Sequence, residues 1–67
     1  MEIKQHIGKN IRRFRLEKGY SQEQFAVISK FHRTYISLVE RGLRNISVEN
    51  LEKIANALDI SITDLLQ

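Results

Sequence analysis

Apolar side chains recur along this chain at intervals of three and four, with polar residues between them, which is the repeat of a helix buried on one face. Ile3, Ile7, Ile11 and Phe14 form the first such face, and their spacing predicts a helix reaching to about Lys18, where Gly19 ends it. Ser21 stands as an N-cap: its hydroxyl can accept from the Gln24 N–H while the Gln24 side chain reaches back, a capping box written S-Q-E-Q. A second helix follows through Phe25, Ala26 and Ile28 to about Ser29. After a break from Lys30 to His32, a third runs from Arg33 to Arg41, and Gly42 stops it. Leu43 to Ile46 reads as loop. Ser47 then caps a fourth helix in which Val48, Leu51, Ile54, Ala55 and Leu58 repeat at three and four, and Ser61 with Asp64 caps a short fifth carrying Ile62, Leu65 and Leu66. With no proline and no alternating apolar run, the expected fold is all-α, five short helices joined by tight turns.

The third helix shows what this architecture can present. At 100° per residue, Ile36 and Val39 point toward a core, whereas Thr34, Ser37, Leu38 and Arg41 gather around the opposite direction, with Arg33, Tyr35 and Glu40 flanking. An outer face with small side chains in its middle, an aliphatic beside them and Arg at both ends suits the B-DNA major groove, which is about 12 Å wide. There Arg can hold a guanine through two hydrogen bonds, and Thr and Leu can touch a thymine methyl. Other roles stay open at this point. The Arg residues are compatible with a solvated face, and Leu38 with burial in a subunit contact or in the core.

Length and charge narrow the picture. Sixty-seven residues make one domain, 1–67, which buries only about 60% of its unfolded surface, so a small core and support from a second copy are both expected. There is no cysteine, hence no disulfide and no thiolate metal site, which fits a reducing compartment. No apolar stretch approaches the roughly 20 residues needed to span a bilayer, and a cytoplasmic protein with no membrane partner is expected. Residues 1–45 carry ten Lys and Arg against four Glu, a net +6, while residues 46–67 carry Lys53 against four acids, a net −3. Gathering cations on one part of a molecule favours counterion release from phosphates, the footprint of a surface for double-stranded DNA. A catalytic centre is not expected, because the carboxylates lie on separate helices and there is no Gly-rich phosphate loop.

SQEQFA followed by ISLVERG resembles the helix-turn-helix signature of the lambda-repressor-like, or XRE, family of DNA-binding regulators. The resemblance extends over nearly the whole chain, IGKNIRRFRLEKGYSQ matching the family's first helix and turn and ISVENLEKIANALDISITDLL its fourth and fifth. Within the family, HRTYISLVERGLRN followed by a Ser-capped helix is similar to the controller proteins of restriction–modification systems, which are dimeric autoregulators. The resemblance implies a lambda-repressor-like domain with its helix-turn-helix at the second and third helices. It implies that Arg33, Thr34 and Ser37 approach base edges, to which the helix geometry adds Leu38. It further implies that Gln22 contacts a phosphate while bracing the third helix, and that Tyr35, Arg44 and Asn45 touch the sugar-phosphate backbone, with Arg41 beside them. A phage-type repressor, or an antitoxin-like module that binds a protein as well as DNA, is the alternative within the same fold.

Three further expectations attach to single residues. In the family the equivalent of Glu40 pairs with an Arg of the first helix, here Arg15, so the pair is expected to tie the two helices and cancel the carboxylate's field near DNA. The family places Gly where this chain has Lys30, and a left-handed Lys30 costs on the order of 1 kcal/mol. His32 sits where a Ser or similar cap is usual, and neither it nor His6 is expected to bind metal. Finally, Ile60, Ile62, Leu65 and Leu66 crowd a short last helix, and a homodimer contact is expected there and around the fourth helix, unless these side chains only close the core. No cofactor and no small-molecule effector is expected.

Overall fold

The computed structural model describes residues 2–67, and five helices follow one another without a strand among them. Helix α1 spans Ile3–Glu17, α2 Gln22–Ser29, α3 Arg33–Glu40, α4 Val48–Ala57 and α5 Ile62–Leu66. The third helix is one residue shorter than its spacing predicts, with Arg41 as its C-cap. Both anticipated capping boxes are present. Ser21 Oγ accepts from the Gln24 amide at 3.0 Å while Gln24 Oε1 accepts from the Ser21 amide at 2.8 Å, and Ser61 with Asp64 repeats the exchange at the start of α5. Ser47 accepts from the Asn50 amide at 3.1 Å. His32 takes the N-cap position of α3 without a side-chain hydrogen bond.

The turn into α3 is left-handed at Lys30, with φ 65° and ψ 32°. Removing the Cβ there relieves about 1–2 kcal/mol of steric cost, of which glycine's greater freedom in the unfolded chain returns about 0.4–1 kcal/mol. Lys30→Gly is therefore expected to stabilise by about 0.5–1 kcal/mol, raising the melting temperature by a few degrees in a domain of this size. A lower melting temperature would contradict that geometry. Asp59, which the spacing did not single out, adopts the same conformation with φ 58° at the turn into α5.

One core unites the helices. Ile11, Phe25, Ile36, Ile54, Leu58 and Leu65 are its largest fully buried side chains. Helix α1 packs on α3 and α5, α2 on α3 and α4, and α4 on α5, so α3 is held from two sides and its remaining face looks outward. The approach of α1 to α3 is close because residue 8 has no side chain. A Cβ on Gly8 would lie 2.5 Å from the Val39 carbonyl oxygen and 2.6 Å from that of Glu40. Mid-helix Gly→Ala ordinarily gains about 1 kcal/mol. Here Gly8→Ala is expected to destabilise by about 1–3 kcal/mol, since backbone cannot yield as a side chain can. Chemical denaturation checks the sign.

The last helix corrects one expectation. Leu65, expected at a subunit contact, is fully buried in the chain's own core and cannot form one. Asn10 Nδ2 donates to the Leu65 carbonyl at 2.8 Å and His6 Nε2 lies 3.2 Å from that of Leu66, drawing α5 onto α1 and turning Leu65 inward. Ile60 and Ile62 are half-buried against the same core, while Leu66 stays 47% exposed.

Candidate nucleic-acid interface

Ile36 and Val39 anchor α3 in the core, and its C-terminal turn is fixed by a carboxylate that three helices share. Arg15 Nε donates to Glu40 Oε2 at 2.6 Å and Arg15 NH2 to Glu40 Oε1 at 3.0 Å, a two-point pair between side chains only 6% and 2% exposed. The remaining Arg15 nitrogen donates to the Tyr20 carbonyl at 2.7 Å, which ties in the turn before α2. Gln22 Nε2 donates to Glu40 Oε1 at 3.1 Å, so the first residue of α2 is joined to the last of α3. Charge-assisted bonds of this length are the strong ones. They neutralise Glu40 inside the protein and leave the outer face of α3 without a free carboxylate of its own. The helical projection places Glu40 on a flank; its partners turn it inward.

That outer face is arranged as two adjoining hollows. Gln22, Arg33, Thr34, Ser37, Leu38 and Arg41 line the first, between the start of α2 and the length of α3. Arg33, Thr34 and Arg41 are exposed, and Gln22, Ser37 and Leu38 are half-buried. Leu38 is absent from the core cluster, so burial in the core no longer accounts for it. Thr34 and Leu38 also border the second hollow, which Tyr35, Arg44 and Asn50 close. In it the Tyr35 ring stacks on Phe31 at 5.0 Å between centroids, and the Arg44 guanidinium carbon lies 5.2 Å from the Tyr35 centroid. Asn45 is exposed in the loop before α4. All the expected base-reading and backbone residues except Asn45 thus line these two hollows, which share Thr34 and Leu38, with cations at the rim and small or apolar groups at the centre.

One participant was not legible from spacing. Asn50 Nδ2 donates to the Tyr35 hydroxyl oxygen at 3.1 Å. At the starts of α2 and α5 the third helical residue returns its side chain to the cap, but at α4 Asn50 turns its amide to Tyr35 instead. The choice is set by the Tyr35 hydroxyl of α3 standing within reach of the first turn of α4. None of the expected dimer residues Ile60, Ile62, Leu65 and Leu66 lines either hollow. Leu66 is exposed, and Ile3, 51% exposed, sits one turn before His6, whose ring meets the end of α5. No helix among the described residues is long and apolar enough to cross a membrane.

The helix-turn-helix family model matches residues 11–65. Control protein C.BamHI of Bacillus amyloliquefaciens is 49% identical over 61 residues, covering 90% of this chain and 75% of its own length. The restriction–modification controller protein C.AhdI from Aeromonas hydrophila superposes with a TM-score of 0.89 at 44% identity, over 92% of this chain and 94% of that one. The biofilm regulator SinR, solved in complex with DNA, gives a TM-score of 0.86 at 40% identity, over 91% of this chain and 98% of that one.

Proposed function

The chain belongs to the helix-turn-helix family of transcriptional regulators, close to the restriction–modification controller proteins, and from that premise we propose that it binds a pseudo-palindromic DNA operator as a homodimer and autoregulates its own operon. One observation carries the proposal: α3 is locked from within by the Arg15–Glu40–Gln22 cluster, and what it leaves outside is Arg33, Thr34, Ser37 and Leu38. A helix held this firmly has little backbone freedom left to lose when its side chains meet base edges. Gln22, Tyr35, Arg41, Arg44 and Asn45 surround those side chains as backbone contacts that fix register, while the base contacts discriminate. Support from the family is that SinR, of like fold, is seen with DNA bound.

The dimer contact is assigned to Leu66 with the outer edges of Ile60 and Ile62, joined by Ile3 of α1. Two-fold symmetry makes such a patch meet itself and sets two recognition helices about 34 Å apart, one turn of DNA. The relatives are named as regulators and control proteins, and the proposal gives this chain a cytoplasmic, non-catalytic role in which occupancy follows protein concentration. Selection of bound sites from a random duplex library, with sedimentation of the free protein, tests both parts. Enrichment of an inverted repeat with half-sites one turn apart is expected, together with a dimer mass. A library that emerges unenriched at moderate salt would end the operator reading, and a strictly monomeric particle on and off DNA would end the dimer.

A further inference from the structure

We propose that Asn50 is a positioning residue for DNA binding: by donating to the Tyr35 hydroxyl oxygen it leaves the single Tyr35 hydroxyl proton to be donated to a backbone phosphate. The inference rests on the DNA-binding reading and adds to it a residue from α4 that never needs to touch DNA. A phenol offers one proton and two acceptor sites, whereas an amide nitrogen only donates. With Asn50 Nδ2 at 3.1 Å, the contact uses an acceptor site on Tyr35, and the proton must point elsewhere. Among the described residues Tyr35 donates to no protein acceptor.

The surroundings say where that proton goes. Stacking on Phe31 and the amide at its tip hold the half-buried Tyr35 ring, so the hydroxyl has one position rather than a range of rotamers. The Arg44 guanidinium over the same ring brings a permanent cation to the same hollow. A hydroxyl donor and a guanidinium side by side match an acceptor-only, anionic group, and a phosphate is that group on DNA. Donation from Asn50 also polarises the phenol and strengthens its O–H as a donor. Tyr35 is thereby set as a fixed phosphate clamp at the edge of the reading surface.

The test uses the full chain and the duplex recovered by site selection, with affinities from fluorescence anisotropy for wild type, Tyr35→Phe, Asn50→Leu and the double variant. Tyr35→Phe is expected to weaken binding about tenfold per half-site, the worth of one hydrogen bond to a charged group. Asn50→Leu should reproduce most of that loss, and the double variant should bind no more weakly than Tyr35→Phe. A scan of single methylphosphonates through each half-site should find one position at which wild type, Tyr35→Phe and Asn50→Leu all become equal, which a purely structural role for Asn50 would not produce. In the free protein, the Asn50 side-chain amide resonances should shift in Tyr35→Phe. Independent, additive losses, an unaffected Tyr35→Phe, a scan without such a position, or an unmoved Asn50 amide would each overturn the assignment. If wild type itself selects no duplex, the proposed function fails and takes the phosphate clamp with it, whereas tight wild-type binding with indifferent variants sinks the clamp alone.

Discussion

Glu40→Ala is expected to destabilise the domain by about 3–5 kcal/mol, because it leaves the Arg15 guanidinium buried with no counter-charge. A domain of this length has roughly 3–10 kcal/mol in total, so the loss amounts to much of its stability and shifts the melting midpoint by well over 10 °C. The magnitude follows from burial rather than from the presence of an ion pair. Arg13 and Glu17 also pair, at 3.4 Å, but with side chains 55% and 59% exposed. Glu17→Ala is accordingly expected to cost no more than about 0–1 kcal/mol, and it serves as the control. Should Glu40→Ala be too unstable to study, replacing both buried partners (Arg15→Met with Glu40→Leu) should recover a large part of the loss, since neither charge is then stranded. Equal midpoints for Glu40→Ala and Glu17→Ala, read by thermal melts, would remove the cluster from its role in holding α3.

That cluster also shows which parts of the fold a linear reading reaches. The spacing of Ile7 and Ile11, of Leu51, Ile54 and Leu58, and the cap chemistry of Ser21 and Ser61 are local, and local physics decides them; the helices follow within a residue or so. The Arg15–Glu40 pair joins positions 25 apart in the chain and came into view through the family resemblance, not through periodicity. Where neither guide operates, expectation fails in a definite way. In a five-residue helix, Ile62, Leu65 and Leu66 lie within about 100° of one another on one face, so the spacing marks that face without telling which of the three the core takes and which stays at its edge; Asn10 and His6 decide it by gripping the last carbonyls. Gly8 reads as an ordinary helical position until the α3 carbonyls are seen within 2.6 Å of where its Cβ would be. Asn50 is invisible for the same reason, its partner Tyr35 lying on another helix, 15 residues back in the chain. Residues whose role lies across a helix–helix contact are the ones the chain conceals.

The surface itself makes the second large prediction. Arg33 stands exposed at the first turn of α3 and borders the hollow that Thr34 and Ser37 share, the placement from which a guanidinium reaches a base edge. Removing a two-point hydrogen-bonded pair with guanine costs about 1–3 kcal/mol. A two-fold complex contains two such pairs, so Arg33→Ala is expected to lose about 2–6 kcal/mol on the selected operator, roughly 30-fold to 10⁴-fold in affinity. The loss should concentrate at one base pair of each half-site, where the variant no longer discriminates. Arg44 lies over the Tyr35 ring at the rim, and the proposed docking gives it a phosphate rather than a base. Arg44→Ala should therefore weaken every duplex by a similar factor and flatten the dependence of log K on log salt by about 0.9 for each phosphate left without its cation, close to two for the dimer. The two variants separate because a phosphate charge is the same at every sequence while a base edge is not. Binding isotherms at several salt concentrations, on the operator and on a scrambled duplex, read both quantities at once. If Arg33→Ala proves as indifferent to sequence as Arg44→Ala, then α3 does not lie in the groove with its first turn against the bases, and its outer face grips DNA without reading it.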